Sequence, residues 1–354
     1  MFHLVRYENG DRMNALNSIV ARAEQCSDTA QLKQLHDEVA FLLSSFSFSF
    51  YDIFDVYDAL CMCHDALMKQ ALLLAEREVD RQGIGKKPSS FCWFVMGSSG
   101  RKEPTVWTDQ DNGVIFSCLH SEKDDCYVYM REYARLGVLY LNKIGYPYCP
   151  GYVMATNERW LKEVEEWNEQ VEKYVTNEHI DDIRYLSMLA DMRPIYGEYA
   201  LANQLKTTLY KKIAATFSLR NRMIDSVRIP FVPIGPFGRV YVERWGEKSG
   251  MIDIKQGGYV QLNHVLKWVA VQKQFVHAYS TFERLTRWYD EHGCSQQQFE
   301  RIEKALQTFL YFRLRCSLEE SDLSIQHLSK EEKQRLKKAM IVAKKMQRHA
   351  RKWV

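Results

Sequence analysis

Residues 94–116 read FVMGSSGRKEPTVWTDQDNGVIF. An apolar run, Phe94 to Met96, stops at Gly97-Ser98-Ser99-Gly100. Asp109-Gln110-Asp111-Asn112 follows, and a second apolar run, Val114 to Phe116, closes the stretch. The pattern predicts a strand, a glycine turn, a short helical crossing and a second strand. Residues two apart in a strand share a face, so Asp109 and Asp111 are expected to project together and Gln110 away from them. Like charges so close repel unless a cation sits between them. Mg²⁺ is the expected cation, held by a carboxylate pair together with substrate phosphates; Mn²⁺ has similar ligand preferences. Gly97 and Gly100 permit backbone angles that bring amides close to phosphate. Ser98 and Ser99 add hydroxyl donors, and Arg101 adds a planar fork suited to phosphate oxygens. Glu103 and Asn112 stand beside these groups as supporting candidates. A lone D-x-D or G-S-S-G also describes an ordinary solvated turn; the combination between two apolar runs is more specific.

The rest of the chain reads as mostly helical, which makes the fold class α+β with a small sheet. Three- and four-residue apolar spacing predicts helices over 14–26, 30–44 and 51–81. The aromatic run Phe46, Phe48, Phe50, Tyr51, Phe54, Tyr57 is expected in an interhelical core rather than as a base-stacking platform, because no basic groove accompanies it. A helix is expected from about Glu122 to Ile144, capped by Gly145. An acidic helix is expected over 158–182, with Trp160 and Trp167 on one face. Further helices are expected over 181–193, 198–217, 262–289 and 296–315, and 229–258 reads as a hairpin or extended loop. Ser329 with Glu332 forms a capping-box pattern, and Leu336, Met340, Val342, Ala343 and Met346 make a helical apolar stripe.

Composition excludes several classes. The chain has 354 residues, 46% hydrophobic and 26% charged, and a formal net charge of +3, ordinary for a globular protein with a sizeable core. No apolar run is long enough to cross a bilayer, and the first residues lack a signal-peptide pattern, so a cytoplasmic location without membrane contact is expected. Nine cysteines at irregular spacing suit free thiols of a reducing compartment. Cys61-Met62-Cys63-His64 lacks a second ligand pair at zinc spacing. Charge is uneven: residues 329–354 carry ten Lys/Arg against two Glu, which is +8 and leaves −5 elsewhere. Such a helix can touch nucleic acid or membrane, but the stripe favours a packed helix with a solvated lysine face, so nucleic acid is not the expected partner.

The spacing of Gly97-Ser98 and Asp109-x-Asp111 resembles the nucleotidyltransferase motif of the DNA polymerase beta superfamily. The fuller string GS-x-GR-x-E followed by TDQDN is similar to a bacterial nucleotidyltransferase family often fused to CBS or cyclic-nucleotide-binding domains. That family is related to PII uridylyltransferase and glutamine synthetase adenylyltransferase. Later blocks carry the resemblance further: Tyr146-Pro147-Tyr148-Cys149-Pro150-Gly151 with Val153 to Asn157 and Trp160, then Asp191-Met192-Arg193-Pro194-Ile195-Tyr196-Gly197-Glu198, then Ile252-Asp253-Ile254-Lys255-Gln256-Gly257-Gly258. The resemblance implies a polymerase-beta-like core over 89–160, flanked by an N-terminal helical region at 1–88. It also implies a helical substrate-binding domain over 161–328, followed by the basic terminal helix at 329–354. It implies Lys255 in nucleotide or substrate contact. Family members often have Gln after the motif glutamate, where this chain has Pro104. A third catalytic carboxylate has no clear match: the strand candidate Tyr152 to Thr156 holds no acid, Glu158 lies just beyond it and Asp191 farther off. Asp191 and Arg193 are read as a structural ion pair, with a catalytic role for Asp191 as the alternative.

The function implied is Mg²⁺-dependent transfer of a nucleoside monophosphate from ATP or UTP to a hydroxyl, with pyrophosphate leaving. The acceptor is an unidentified protein, such as a signal-transduction regulator, or a small molecule. Three readings compete with a protein acceptor: a nucleotide-binding regulatory module without turnover, an antibiotic-type transferase, and a helical nuclease site at Arg287 and His292.

Overall fold

The computed structural model describes residues 14–45, 48–226, 231–235 and 238–353. Helix α1 covers residues 14–23. It is followed by α2 (Thr29–Ser44), α3 (Ile53–Gln82), β1 (Ser90–Val95), the single turn α4 (Gly97–Gly100), β2 (Asn112–Ser117) and α5 (Lys123–Ile144). Then come β3 (Leu161–Glu163), α6 (Val164–Asn177), α7 (Ile180–Leu189), β4 (Arg193–Gly197), α8 (Tyr199–Ala215), α9 (Phe217–Ser226) and β5 (Met251–Ile252). A π-helical turn at Lys255–Tyr259 leads into α10 (Val260–Gln272), α11 (Thr281–Asp290), α12 (Gln296–Leu318), β6 (Leu323–Ser324) and α13 (Lys330–Trp353). The α+β expectation holds: helices dominate, beside one four-stranded sheet and one two-stranded sheet.

The described residues divide into two compact units. The first comprises those of Met1–Phe48, with Asp55–Thr176 and Asp191–Thr208. Its sheet has the order β3-β2-β1-β4. β1 is antiparallel to β2 and β4, and β2 is parallel to β3. Neighbouring residues of a strand face opposite ways. Trp93 accordingly meets Tyr133 of α5, 5.7 Å between ring centroids, while Phe94 meets Trp167 of α6 at 5.8 Å. Helices thus cover both faces of β1. α2 packs on α5, with Asp28 capping α2 by accepting from Ala30 N and Gln31 N at 2.8 and 2.9 Å. α5 ends at Gly145, whose φ of +118° closes the helix as expected.

Two strands of the four-stranded sheet were not legible in the sequence. β4 replaces an expected helix end. Pro194 has no N–H to give, yet sits in an edge strand, where a missing donor is tolerated. β3 interrupts the acidic segment, so Trp160 precedes the helix that carries Trp167, although their rings lie 6.3 Å apart. Tyr152 to Thr156 is loop.

The second unit is Ser49–Phe54, Asn177–Ala190 and Leu209–Val354. α10 is buried nearly all round, and α11 and α13 pack on it. The expected single helix over 262–289 is two. The break contains Gln274 at φ +59°, and Ser280 and Glu283 form a capping box that starts α11. The capping pattern at Ser329 forms: Ser329 N donates to Glu332 Oε2 at 2.7 Å, and Glu332 N to Ser329 Oγ at 3.1 Å. Leu336, Met340, Ala343 and Met346 are buried and Val342 is half-buried, so α13 packs by its stripe. Phe50 and Phe54 join aromatic clusters, 4.0 Å from Tyr311 and 4.1 Å from Phe282 between centroids; Phe46 lies outside the described residues. Among the described residues no helix is long and apolar enough to cross a membrane.

Candidate active site

Asp109, Gln110 and Asp111 precede β2 rather than lying in it. The pairing of β1 with β2 nevertheless extends one step, because Met96 N donates to Asp111 O at 2.8 Å. The alternation expected of a strand therefore survives. Gln110 is buried, and its Nε2 donates to Val138 O at 3.1 Å and Tyr146 O at 3.0 Å. Asp109 is exposed and Asp111 half-buried. Asn112 anchors the other flank: its Oδ1 accepts from Ala155 N at 2.8 Å, and its Nδ2 donates to Gln110 Oε1 at 3.2 Å. Two buried amide side chains thus fix the backbone between the carboxylates.

The glycine turn is built against them. Gly97 has φ +57°, and a Cβ there would lie 2.2 Å from Asp111 Oδ2. Any side chain at 97 would displace the carboxylate. A Cβ on Gly100 would lie 2.1 Å from Asp191 O, so this position too is closed to side chains. Within the turn, Gly100 N donates to Met96 O, Arg101 N to Gly97 O and Glu103 N to Ser98 O. The N–H groups of Gly97, Ser98 and Ser99 have no protein acceptor among the described residues. Ser98 Oγ lies 3.2 Å from Thr108 Oγ1.

Cys149 comes from the loop after α5 and is buried. One oxygen each of Asp109 and Asp111 and the sulfur of Cys149 lie within 4.8 Å of one another. This is the one group of three metal-ligating side chains found among the described residues. Burial, with the neighbouring Asp111 carboxylate adding to it, pushes the Cys149 thiol up to about 11. Two carboxylates suit a hard cation that takes its remaining ligands from phosphate and water; a protonated thiol suits it poorly. Cys61, Cys63 and His64 do not converge: Cys63 Sγ donates to Leu16 O, and His64 Nδ1 meets Tyr146 Oη at 2.7 Å.

Arg101 is buried. Its Nη1 donates to Asp191 Oδ2 at 2.6 Å, and Nε lies 3.5 Å from Glu103 Oε2. Arg193 makes a two-pronged contact with Asp65 at 2.6 and 2.8 Å and donates from Nη2 to Ser99 O at 2.8 Å. Sequence paired Asp191 with Arg193; in the structure Asp191 takes Arg101 as its ion-pair partner, and Arg193 takes Asp65 while holding Ser99 O of the turn. Lys255 belongs to the second unit, where it is exposed at the start of the π-helical turn. His292 follows the end of α11 at φ +56°, so it does not share a helix with Arg287.

The loop that supplies Cys149 rests on two buried histidines. Tyr146 binds His64, and His36 lies 5.2 Å from the Tyr146 ring. Burial lowers His36 to about 4 and His64 to about 3. Unfolding frees both to bind protons from about pH 6.5 downward. The stability they permit is whole above that pH and falls as pH drops toward the folded values. Lowering the pH from about 6.5 to 5 is expected to remove up to about 3 kcal/mol through this pair. His64→Gln should remove about half of that acid limb in urea unfolding at the two pH values, leaving the His36 share. An unchanged limb would assign acid sensitivity elsewhere.

Residues 37–181 match the family model described as Putative nucleotidyltransferase DUF294. Residues 218–353 match the model described as Putative nucleotidyltransferase substrate binding domain. No curated protein matches the chain.

Proposed function

Since the chain belongs to the nucleotidyltransferase family of those two models, we propose that it transfers a nucleoside monophosphate from ATP or UTP to an acceptor hydroxyl. The observation that carries the reading is the convergence of Asp109 and Asp111 beside a turn whose first three amides are unspent. Asp109 and Asp111 would hold Mg²⁺, or Mn²⁺, which when bound offsets the charge of the triphosphate. The amides of Gly97 to Ser99 and the Ser98 hydroxyl orient phosphate oxygens. Arg101 acts through Asp191 and Glu103, keeping the turn against β1. Lys255, from the family's lysine–glycine segment, contacts nucleotide or acceptor. The acceptor hydroxyl oxygen attacks the α-phosphorus and gives up its proton to solvent, the bond to the bridging oxygen breaks, and pyrophosphate leaves with that electron pair. Catalysis is then chiefly positioning and charge neutralisation.

A second reading is favoured by one observation. Among the described residues, the third ligand-type side chain beside the pair is Cys149, not an acid. A module that binds NTP and turns it over weakly or not at all fits this set. Calorimetry with ATP or UTP and Mg²⁺, run beside a pyrophosphate assay with cell lysate as acceptor source, separates the two. Binding with pyrophosphate release supports transfer, and binding without release supports the module. Absence of binding for every NTP tested with metal overturns both.

A further inference from the structure

The second unit holds a cavity of about 350 Å³ lined by α11, α12 and α13. Its floor is apolar: Trp288, Ile302, Val342 and Met346. Its rim is cationic: Arg301, Lys345, His349 and Lys352 line it, and all four are exposed. None of the lining residues is a carboxylate. Other cations of α13 are spent inside the protein: Arg335 pairs with Glu331, Arg351 with Asp225, and Lys344 donates to Ile234 O. Arg301, Lys345 and Lys352 have no ion-pair partner among the described residues.

Size and spacing narrow the occupant. Lys345 and Lys352 are seven residues apart, about 10 Å along a helix. One phosphate cannot reach along that length, so the charge complement is a ligand with several separated anionic groups. The volume is at the small end for ligand pockets and takes one or two apolar side chains. Trp288 is 2% exposed and offers no open ring face for base stacking, which single-stranded nucleic acid uses. We propose that this cavity docks an acidic amphipathic peptide segment of a protein partner. A leucine- or phenylalanine-sized anchor sits on Val342, the half-buried residue of the floor, flanked by carboxylates on Arg301, Lys345 and Lys352. This is helix-in-groove recognition with a charged rim. It does not depend on nucleotide transfer, since none of these residues belongs to the unit that holds Asp109 and Asp111.

The test uses the full chain and a fluorescein-labelled peptide with glutamates at three- and four-residue spacing around a leucine pair. Anisotropy should show saturable binding that weakens at least tenfold in about 0.5 M salt. Replacing the peptide's glutamates with glutamine, or its leucines with serine, should weaken binding at least tenfold. So should Arg301→Glu with Lys345→Glu in the protein, with the thermal unfolding curve as a check on the fold. Asp109→Asn with Asp111→Asn should leave peptide binding unchanged, which separates this site from the transfer site. The proposal is overturned if the glutamine peptide binds equally well or if the charge-reversed protein keeps full affinity. It is also overturned if a single-stranded oligonucleotide or phosphatidylserine vesicles bind more tightly and displace the peptide.

Discussion

Asp111→Asn is expected to abolish nucleotide transfer while the fold survives. Asp111 stands where three constraints meet: its backbone O extends the β1–β2 pairing, its side chain packs on the Cα of Gly97, and its carboxylate shares a cluster with Asp109 and Cys149. Asparagine has nearly the same shape, so the first two constraints remain. It also removes one of two neighbouring negative charges, so the free protein loses no stability through repulsion. What it loses is a charged ligand for the cation on which the triphosphate would be held. Loss of roughly 10³-fold or more in transfer, about 4 kcal/mol in the barrier, is the scale for removing a group that meets developing charge directly. Asp109→Asn should match it in activity and change stability by less than about 0.5 kcal/mol, because Asp109 is exposed. Pyrophosphate release and urea unfolding, measured on the same preparations, test both halves. Full transfer in both variants would remove the pair from the mechanism.

How much of this was legible depends on how local each signal is. The two apolar runs around the glycine turn became β1 and β2, because each is buried along almost its full length and hydrophobic continuity marks such strands. The Gly145 cap and the Ser329 capping pattern depend on residues one to three apart and were equally readable. β4 was not, because Arg193 to Gly197 is short, contains proline, and is a strand only by virtue of pairing with β1. The carboxylates were placed one step too far along, inside β2 instead of before it, which changed nothing about their shared side. Cys149 was read only as part of a resembling block. Its position beside Asp109 is set by a loop that Gln110 and Asn112 clamp through buried amides, and a sequence gives no sign of which loop a buried amide will hold. Arg101 shows the reverse case. A planar cation after a Gly-Ser turn suggests phosphate, but it is held instead by Glu103, a supporting candidate two residues on, and by Asp191, 90 residues away in the chain and so not legible as its partner.

Arg101→Ala is accordingly expected to destabilise the first unit by about 3–5 kcal/mol, the scale for removing one partner of a buried ion pair. Arg101, Glu103 and Asp191 are all nearly fully buried, at 7%, 2% and 2% exposure. Deleting the guanidinium leaves two carboxylates facing the space it held, with too little water to solvate them. Asp191→Leu should cost less, since Glu103 still faces Arg101. Arg101→Met with Asp191→Leu should recover part of the loss, because an apolar pair of similar volume avoids the desolvation penalty. Activity is expected to fall with stability in this series: Gly100 lies against Asp191 O, so loosening this contact moves the turn and with it the amides of Gly97 to Ser99. Urea unfolding and the KM for NTP, taken together, decide the role. If Arg101→Ala is as stable as the parent and only the KM rises, the guanidinium is a phosphate ligand and its buried pairing with Asp191 is incidental. If stability falls and the double variant restores both stability and KM, Arg101 acts on the nucleotide only through the turn it holds.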